Sequence, residues 1–225
     1  MKRQSAASLW SQLTAWYTQR IPEFADTLNP GASEEEIRAL EKEVRRVIGK
    51  ELPRALSEVY KLNAGQKELT FAGAFFGLSL LGPRDVLKQW RGWYDIAEQD
   101  PELADEITGV SHPLGAVQMQ YINSGHVPFA HDESGSYLGV DLSPGPNGKV
   151  GQVINFGSGE FDKFVLADSF EIFLRWILNQ YHEGNYRIST IQLDEKGKME
   201  RSIEVSDPSS KHFLDVVPFL FGPNS

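Results

Sequence analysis

The sequence predicts a fold in which helices pack on an antiparallel β-sheet, and two features of its pattern indicate this arrangement. Segments with helical periodicity fill most of the N-terminal part, whereas short apolar runs separated by turn residues fill residues 126–167. A strongly amphipathic segment follows these runs, and its apolar face requires a sheet to cover. With 225 residues, of which 40% are hydrophobic, the chain can build one well-packed domain with extensions.

The first two predicted helices have clear boundaries. Leu9 and Trp16 share one face of a helix that stops before an Ile-Pro pair, because a residue that precedes proline disfavours the helical region. Ser33 and Glu36 then form a capping box, in which each side chain bonds the backbone N–H of the other residue. The helix that they open ends at Gly49, which tolerates the left-handed conformation of a C-cap.

Two further helices flank an apolar segment. Pro53 starts a short helix, and a longer helix carries Val86, Trp90 and Trp93 at positions i, i+4 and i+7 before an Asp-Pro pair ends it. Between these helices, Leu69–Leu81 is rich in Phe, Leu and Gly. This composition predicts short buried strands with close backbone contacts.

The second half of the chain predicts an antiparallel meander followed by a helix. Asp168 with Glu171 caps the helix, which presents Phe173 and Ile177 to the sheet and ends at Gly184. The segment 102–125 shows no clear pattern, and the tail predicts a hairpin and a short final helix. The predicted elements are strands at 127–131, 137–142, 151–156 and 163–167, hairpin strands at 188–193 and 203–205 around a turn at 195–197, and a helix at 208–217.

Three regions follow from this order of elements. The chain shows no internal repeat and no low-complexity linker, so the terminal extensions are expected to pack on the core. The predicted regions are an N-terminal helical extension at 1–30, an α+β core at 31–185 and a C-terminal hairpin and helix at 186–225.

Composition excludes several classes of function. The chain has no cysteine, so neither disulfides nor thiolate ligands nor cysteine nucleophiles are available. Its formal charge of −9 repels phosphate backbones, and we therefore expect no nucleic-acid ligand and a preference for cationic partners. The absence of a long apolar run predicts a cytoplasmic protein without membrane contact.

The motif search predicts no cofactor and no metal. Neither a nucleophile elbow nor a phosphate loop nor a dinucleotide fingerprint is present with the required spacing. His126 and His131 are the nearest histidine pair, but their odd spacing on a strand sends them to opposite faces. A joint metal site is therefore disfavoured.

Two carboxylates allow an enzymatic alternative. Asp132 and Asp141 could approach each other across a hairpin and serve as an acid and a base or as a metal pair. The structural alternative is favoured, in which Asp132 makes an Asx-type turn with Gly135 and Asp141 bonds backbone amides of the next loop.

Several fragments resemble one family in the right order. They are the helix and turn Leu52-Pro53-Arg54-Ala55-Leu56 through Tyr60, Asn63 and Gly65, the strands Val127–Asp132, Tyr137–Leu142 and Gly151–Ile154, and the helix start Ala167–Phe170. Together they resemble the SUKH superfamily over about residues 31–182, and its branch named after the fungal regulator of cell-wall assembly (Smi/Knr-like) in particular. His126 departs from the tryptophan that relatives often have, and the turn after Asp132 lacks their glycine pair.

The resemblance implies an α+β fold with a bent, mainly antiparallel central sheet surrounded by helices. It also implies a non-catalytic protein-binding function. We expect a bacterial member of the family that acts as an immunity protein and neutralises a toxin by direct binding, and a basic domain such as a nuclease would complement the acidic surface. The alternatives are a regulatory scaffold in cell-wall assembly and, less favoured, a carboxylate-dependent enzyme.

A partner-binding surface is predicted on the acidic turns that join the strands, because loops on a rigid sheet commonly hold recognition residues. An aromatic pair on the long helix is the second candidate, since exposed aromatic residues anchor interfaces. The favoured alternative for this pair is burial in the core. The predicted binding residues are Asp132, Glu133, Asp141, Glu160 and Asp162 on the turns, and Trp90 and Trp93 on the helix.

Overall fold

The computed structural model describes residues 4–67, 72–192, 199–207, 210 and 212–223. Its helices are α1 (Ala6–Arg20), α2 (Phe24–Thr27), α3 (Glu34–Ile48), α4 (Arg54–Tyr60), α5 (Pro83–Gln99), α6 (Pro101–Ala104), α7 (Phe170–Glu183) and α8 (Phe213–Phe221). Its strands are β1 (Ser79–Leu80), β2 (Ser111–His112), β3 (His126–His131), β4 (Ser136–Asp141), β5 (Gln152–Gly157), β6 (Lys163–Ala167), β7 (Tyr186–Gln192) and β8 (Met199–Val205).

The central sheet has the strand order β1-β3-β4-β5-β6-β2. All neighbouring strands in it are antiparallel except β2, which runs parallel to β6. The meander β3 to β6 confirms the prediction from the turn residues, and the α+β class with a mainly antiparallel sheet is confirmed with it. Strands β7 and β8 form a separate antiparallel hairpin.

The helix caps agree with the sequence at one site and differ at another. The backbone N–H of Glu36 donates to Ser33 Oγ, and the Glu36 carboxylate accepts from the N–H of Ser33, as the capping box predicts. Helix α7, however, is capped by Ser169, whose Oγ accepts from the N–H of Ile172. The prediction of Asp168 as the cap was wrong by one residue, and the Asp168 carboxylate pairs instead with Lys149.

One face of the sheet is covered by α7. Phe173 and Ile177 are fully buried, and the ring of Phe173 lies 5.8 Å from that of Phe129 on β3. Helix α1 joins the same core, because Trp16 stacks on Tyr181 of α7 with ring centroids 4.5 Å apart. The N-terminal segment is thus packed against the helix that closes the sheet.

The opposite face is covered by α5 and by the loop region 105–125. Helix α5 lies against β3, and the Gln152 side chain on β5 donates to the carbonyl of Ala116 in the loop region over 2.9 Å. Because both faces are covered, every residue of β4 is buried. The polar side chains of β4, Ser136 and Asp141, are therefore buried inside the protein.

The predicted strands in Leu69–Leu81 form only at the end of that segment. Residues 69–71, including Phe71, lie outside the described residues, and residues 72–78 form turns in which Phe76 has a φ of 52°. The side chain of Gln66 bonds backbone groups that a neighbouring strand would otherwise bond. Its Oε1 accepts from the N–H groups of Ala74 and Leu80, and its Nε2 donates to the carbonyl of Ala72.

The C-terminal tail has the predicted hairpin, whose turn at 195–197 lies outside the described residues. Helix α8 begins at Phe213 rather than at Pro208, which is also outside them, and it ends at Phe221 rather than near Val217. The helix continues past Val217 because Phe221 packs on Trp176 of α7, with ring centroids 5.0 Å apart.

Candidate functional site

The turn from β3 to β4 is organised by Asp132. Its Oδ1 accepts from the N–H of Ser134 over 2.8 Å and from the N–H of Ser136 over 3.1 Å. This Asx-type turn agrees with the structural interpretation of the sequence, although the bonded amides are those of Ser134 and Ser136 rather than that of Gly135. The side chain of Asp132 is only 6% exposed, so its carboxylate mainly holds the turn.

A histidine from the tail completes the environment of Asp132. The Nε2 atom of His212 lies 3.4 Å from Asp132 Oδ2. Burial acts to raise the pKa of Asp132, but hydrogen bonds from His212, Ser134 and Ser136 outweigh burial and hold the pKa below its usual range. The hydrogen bond to Asp132 in turn raises the pKa of His212. Sequence reasoning missed this pair because its members are far apart in the chain.

The second acidic turn, between β5 and β6, is at the same end of the sheet. Glu160 is partly buried and accepts from Asn155 Nδ2 over 2.6 Å, and burial raises the pKa of its carboxyl. Asp162 is exposed and accepts from the N–H of Val110 over 2.7 Å. Glu133 on the first turn is exposed and lies 3.4 Å from His131 Nε2. Glu133 and Asp162 are thus the predicted carboxylates that solvent reaches most readily.

Asp141 is buried, so the prediction that it belongs to the acidic partner-binding surface was wrong. In the β3–β4 ladder it lies opposite His126, at the far end of the hairpin from Asp132, and it is 0% exposed. Five residue steps along β4, at about 3.3 Å each, separate Ser136 from Asp141, so the two carboxylates do not meet and the acid–base pair of the enzymatic alternative is not formed. Asp141 accepts from the N–H of Ser143, as the favoured structural interpretation predicts, and also from Gln152 Nε2, each over 2.9 Å. Burial raises its pKa to about 6.

The two tryptophans of α5 have different environments. Trp90 is 2% exposed, and its Nε1 donates to the carbonyl of Ser124 over 2.8 Å, so it belongs to the interior. Trp93 is half-buried beside an open cleft, with its ring 6.0 Å from Tyr121 and 6.4 Å from Tyr137 in edge-to-face geometry. Of the predicted pair, Trp93 is the residue that a partner can contact.

We call the space between these residues the aromatic cleft, defined by Trp90, Trp93, Tyr94, Tyr121, His126 and Phe156. The cleft is narrow, with room inside it for about one water molecule. The ring of Phe156 lies across Gly139, where a Cβ atom would approach it to 2.4 Å. The lack of a side chain at Gly139 therefore allows Phe156 to reach His126, with ring centroids 5.5 Å apart.

The aromatic cleft and the acidic turns form neighbouring parts of one surface. The ring of Tyr137 contacts Trp93, and the charges of Asp132 and Glu133 add to burial in raising the pKa of its hydroxyl. Gly157, which borders the cleft, immediately precedes the second acidic turn. A bound protein could therefore contact aromatic rings and carboxylates together.

Metal and membrane sites receive no support within the described ranges. No three His, Asp or Glu side chains in this part of the chain converge in a way that could hold a metal ion. No helix among the same residues is both long and apolar enough to cross a bilayer.

Comparison with known proteins decides the family. Residues 31–176, more than half of the chain, match the model of the SMI1 / KNR4 family (SUKH-1). The chain belongs to this family. The resemblance predicted from the sequence fragments is thereby confirmed.

Relatives of this SUKH-1 chain include fungal regulators. It is 25% identical over 210 residues to "Cell wall assembly regulator SMI1" of Saccharomyces cerevisiae, with 79% of this chain and 40% of that protein covered. It is 29% identical over 219 residues to "Cell wall biosynthesis/cell cycle regulator smi1" of Schizosaccharomyces pombe, with 93% and 42% covered. A "KNR4/SMI1 homolog" of Kluyveromyces lactis is 28% identical over 239 residues, with 79% and 44% covered. The chain thus spans about two fifths of the length of these relatives.

Proposed function

We propose that this SUKH-1 chain is a non-catalytic protein-binding module with a regulatory scaffold role in cell-wall assembly. The names of the fungal relatives support the regulatory role. The binding role rests on one observation. The half-buried Trp93 lies beside Tyr121 and Tyr137, and Tyr137 in turn lies close enough to the exposed Glu133 to feel its charge. Aromatic anchors beside a charged rim are typical of protein interfaces.

The charge of this surface selects the class of partner. Glu133 and Asp162 are exposed on adjacent turns, and the whole chain has a formal charge of −9. Such a field accelerates encounter with a cationic protein surface and opposes nucleic acid. Asp141 takes no part in the proposed surface because it is buried, and Asp132 acts through the shape of its turn.

An immunity role is the second candidate, and the same acidity favours it. An immunity protein that blocks a basic toxin domain, such as a nuclease, would use an acidic surface of this kind. In either role we expect the protein to act in the cytoplasm. The partner itself distinguishes the two roles, since one predicts proteins of cell-wall synthesis and the other predicts a toxin encoded beside this chain.

Affinity capture with a matched pair of variants tests the proposal. We expect immobilised wild-type protein to retain a protein partner from cells of the source organism, and mass spectrometry to identify it. The Glu133→Lys and Trp93→Ala variants should each retain at least several-fold less. The control is Glu183→Lys, a charge reversal at an exposed residue at the end of α7.

Kinetics with the purified partner then separate the two contributions. Because rim charges act mainly on encounter, Glu133→Lys should slow association, and the wild-type association rate should fall as salt increases. Trp93→Ala should instead speed dissociation. If both variants and the control bind the partner with the same rates, the binding surface lies elsewhere.

A further inference from the structure

Strand β7 forms an open edge of the C-terminal hairpin. It has seven residues, pairs with β8 in one continuous register, and has no neighbouring strand on its other side among the described residues. Proteins commonly protect such an edge with a proline, a free lysine, a bulge or a very short strand. The strand Tyr186–Gln192 has none of these features, so a further strand can pair with it.

The hydrogen bonds of the hairpin show which backbone groups of β7 face outward. Bonded and non-bonded residue pairs alternate along antiparallel strands. Ile203 lies opposite Ile188, but its N–H turns away from β7 and donates to the hydroxyl of Tyr17 over 3.1 Å. The N–H and C=O groups of Ile188 and Thr190 therefore point away from β8, and no described residue bonds them.

The side chains along this edge match those of a second copy of the chain. Ser189 is the middle residue of β7, so a two-fold axis at Ser189 pairs all seven residues of one strand with those of the other in antiparallel order. Ile188, which is 45% exposed, then lies opposite Thr190 of the second copy, and the outward backbone groups of the two residues face each other. Cross-strand pairs of β-branched residues stabilise an antiparallel sheet.

The charge of β7 also permits this contact. The chain has 31 acidic residues, but β7 contains none of them. Its one charged residue, Arg187, pairs with Glu204 of the same hairpin over 3.0 Å. An axis at Ser189 places the two Arg187 residues on opposite sides of the axis rather than opposite each other. Two copies with a formal charge of −9 each can therefore meet here without like charges in direct opposition.

We propose that the chain forms a two-fold dimer in which the β7 strands of two copies pair antiparallel about Ser189. The two hairpins then form one four-stranded sheet. This dimer leaves the aromatic cleft open, because no residue of β7 lines it. The inference goes beyond the protein-binding function proposed above, since the dimer presents two copies of the binding surface and a partner with two matching sites gains avidity.

Sedimentation equilibrium of the full chain measures this association. The average mass should rise with concentration, from micromolar to submillimolar, toward twice the monomer mass. Thr190→Pro removes an outward N–H that the hairpin itself does not use, so it should weaken the dimer at least about tenfold while the fold is retained. Thr190→Val keeps both the N–H and a β-branched side chain, and it should change the dimer affinity by less than about threefold.

Single cysteine variants test the register, because the chain has no cysteine of its own. In Ser189→Cys the two Cα atoms across the axis would lie about 4.5 Å apart, as in a non-hydrogen-bonded antiparallel pair, and a disulfide can bridge this distance. Oxidation by oxygen with a copper catalyst should therefore yield a disulfide-linked dimer. Thr190→Cys is the matched control, since its two thiols would be offset by two residues along the strands, beyond the reach of a disulfide.

Three results would overturn the proposal. They are a monomer mass for the wild type over the whole concentration range, equal dimer affinities for Thr190→Pro and Thr190→Val, and equal cross-linking of Ser189→Cys and Thr190→Cys. Circular dichroism verifies the fold of each variant, and the wild-type mass together with the cross-linking decides even if Thr190→Pro does not fold.

Discussion

The imidazole of His212 lies 3.4 Å from the carboxylate of Asp132, and this contact ties the segment before α8 to the turn between β3 and β4. The contact raises the pKa of His212, with the charges of Asp215 and Glu160 adding to the effect, and it helps to lower that of Asp132. The fold therefore gains from this pair only while both groups are charged. Because a raised histidine pKa stabilises the fold below about pH 6.5 and a lowered aspartate pKa stabilises it above about pH 4, the gain is greatest between these values.

The first prediction concerns this pH dependence. His212→Gln should lower the unfolding free energy by about 0.5–1 kcal/mol at pH 5.5, as expected for a half-exposed ion pair. The loss should be smaller at pH 8.5, because this stabilisation disappears as the pH rises through the raised pKa of His212. Urea unfolding at the two pH values measures it. The exposed His182→Gln is the control, and a loss at His212 that does not change with pH would contradict the assignment.

The second prediction separates two acidic residues that the sequence placed on one surface. Asp141→Lys buries an unmatched ammonium beside Ser143 and Gln152 and should cost at least about 3 kcal/mol or prevent folding. Glu133→Lys lies on an exposed turn and should change stability by less than about 0.5 kcal/mol. Chemical denaturation compares them, and similar stabilities for the two variants would place Asp141 at the surface.

The third prediction tests the apolar face of α7. Truncation of Phe173 or Ile177 to alanine removes a fully buried side chain and should cost roughly 2–5 kcal/mol. On the same helix Ile172 is 46% exposed, and Ile172→Ala should cost well under 1 kcal/mol. Losses below 1 kcal/mol at both buried positions would mean that this face is not in the core.

The fourth prediction uses two glycines with opposite surroundings. At Gly139 an added Cβ would lie 2.4 Å from the Phe156 ring and 2.7 Å from the Val127 carbonyl, so Gly139→Ala should cost about 1–3 kcal/mol and displace Phe156 from the cleft. At Gly92 on α5 an added Cβ meets nothing within 4 Å, and Gly92→Ala should stabilise the protein by about 0.5–1 kcal/mol. Thermal unfolding distinguishes the signs, and a neutral Gly139→Ala would mean that Phe156 can move freely.

Capping residues and turn residues predicted correctly those helix ends whose geometry depends only on neighbouring residues. The capping box at Ser33 and the left-handed cap at Gly49, with a φ of 71°, depend on neighbouring residues and are correct. The cap of α7 was assigned one residue early, because Asp168 and Ser169 are both good capping residues and residue type alone does not choose between them. Strands β1 and β2 contain two residues each, too few for any periodicity.

The candidate site was predictable only in part, because its composition depends on contacts between distant segments. Alternation along β4 shows that Asp141 and Tyr137 share a face, but it cannot show that α5 and the loop region cover that face. Tyr121 lies in a segment without a pattern, and the cleft that it lines exists only once that segment is placed. The acidic turns were recognisable because charge and turn residues are visible in the sequence itself.

At the β1 edge of the sheet, the backbone groups that could pair with a strand of another molecule are already bonded. The Leu80 N–H donates to Gln66 Oε1, and the Leu80 carbonyl accepts from the Gln66 N–H over 2.8 Å. A foreign strand would have to displace both bonds to extend the sheet at this point, and an edge closed in this way resists recruitment into fibrils. Concentrated solutions of the protein should thus be protected at this edge against ordered aggregation.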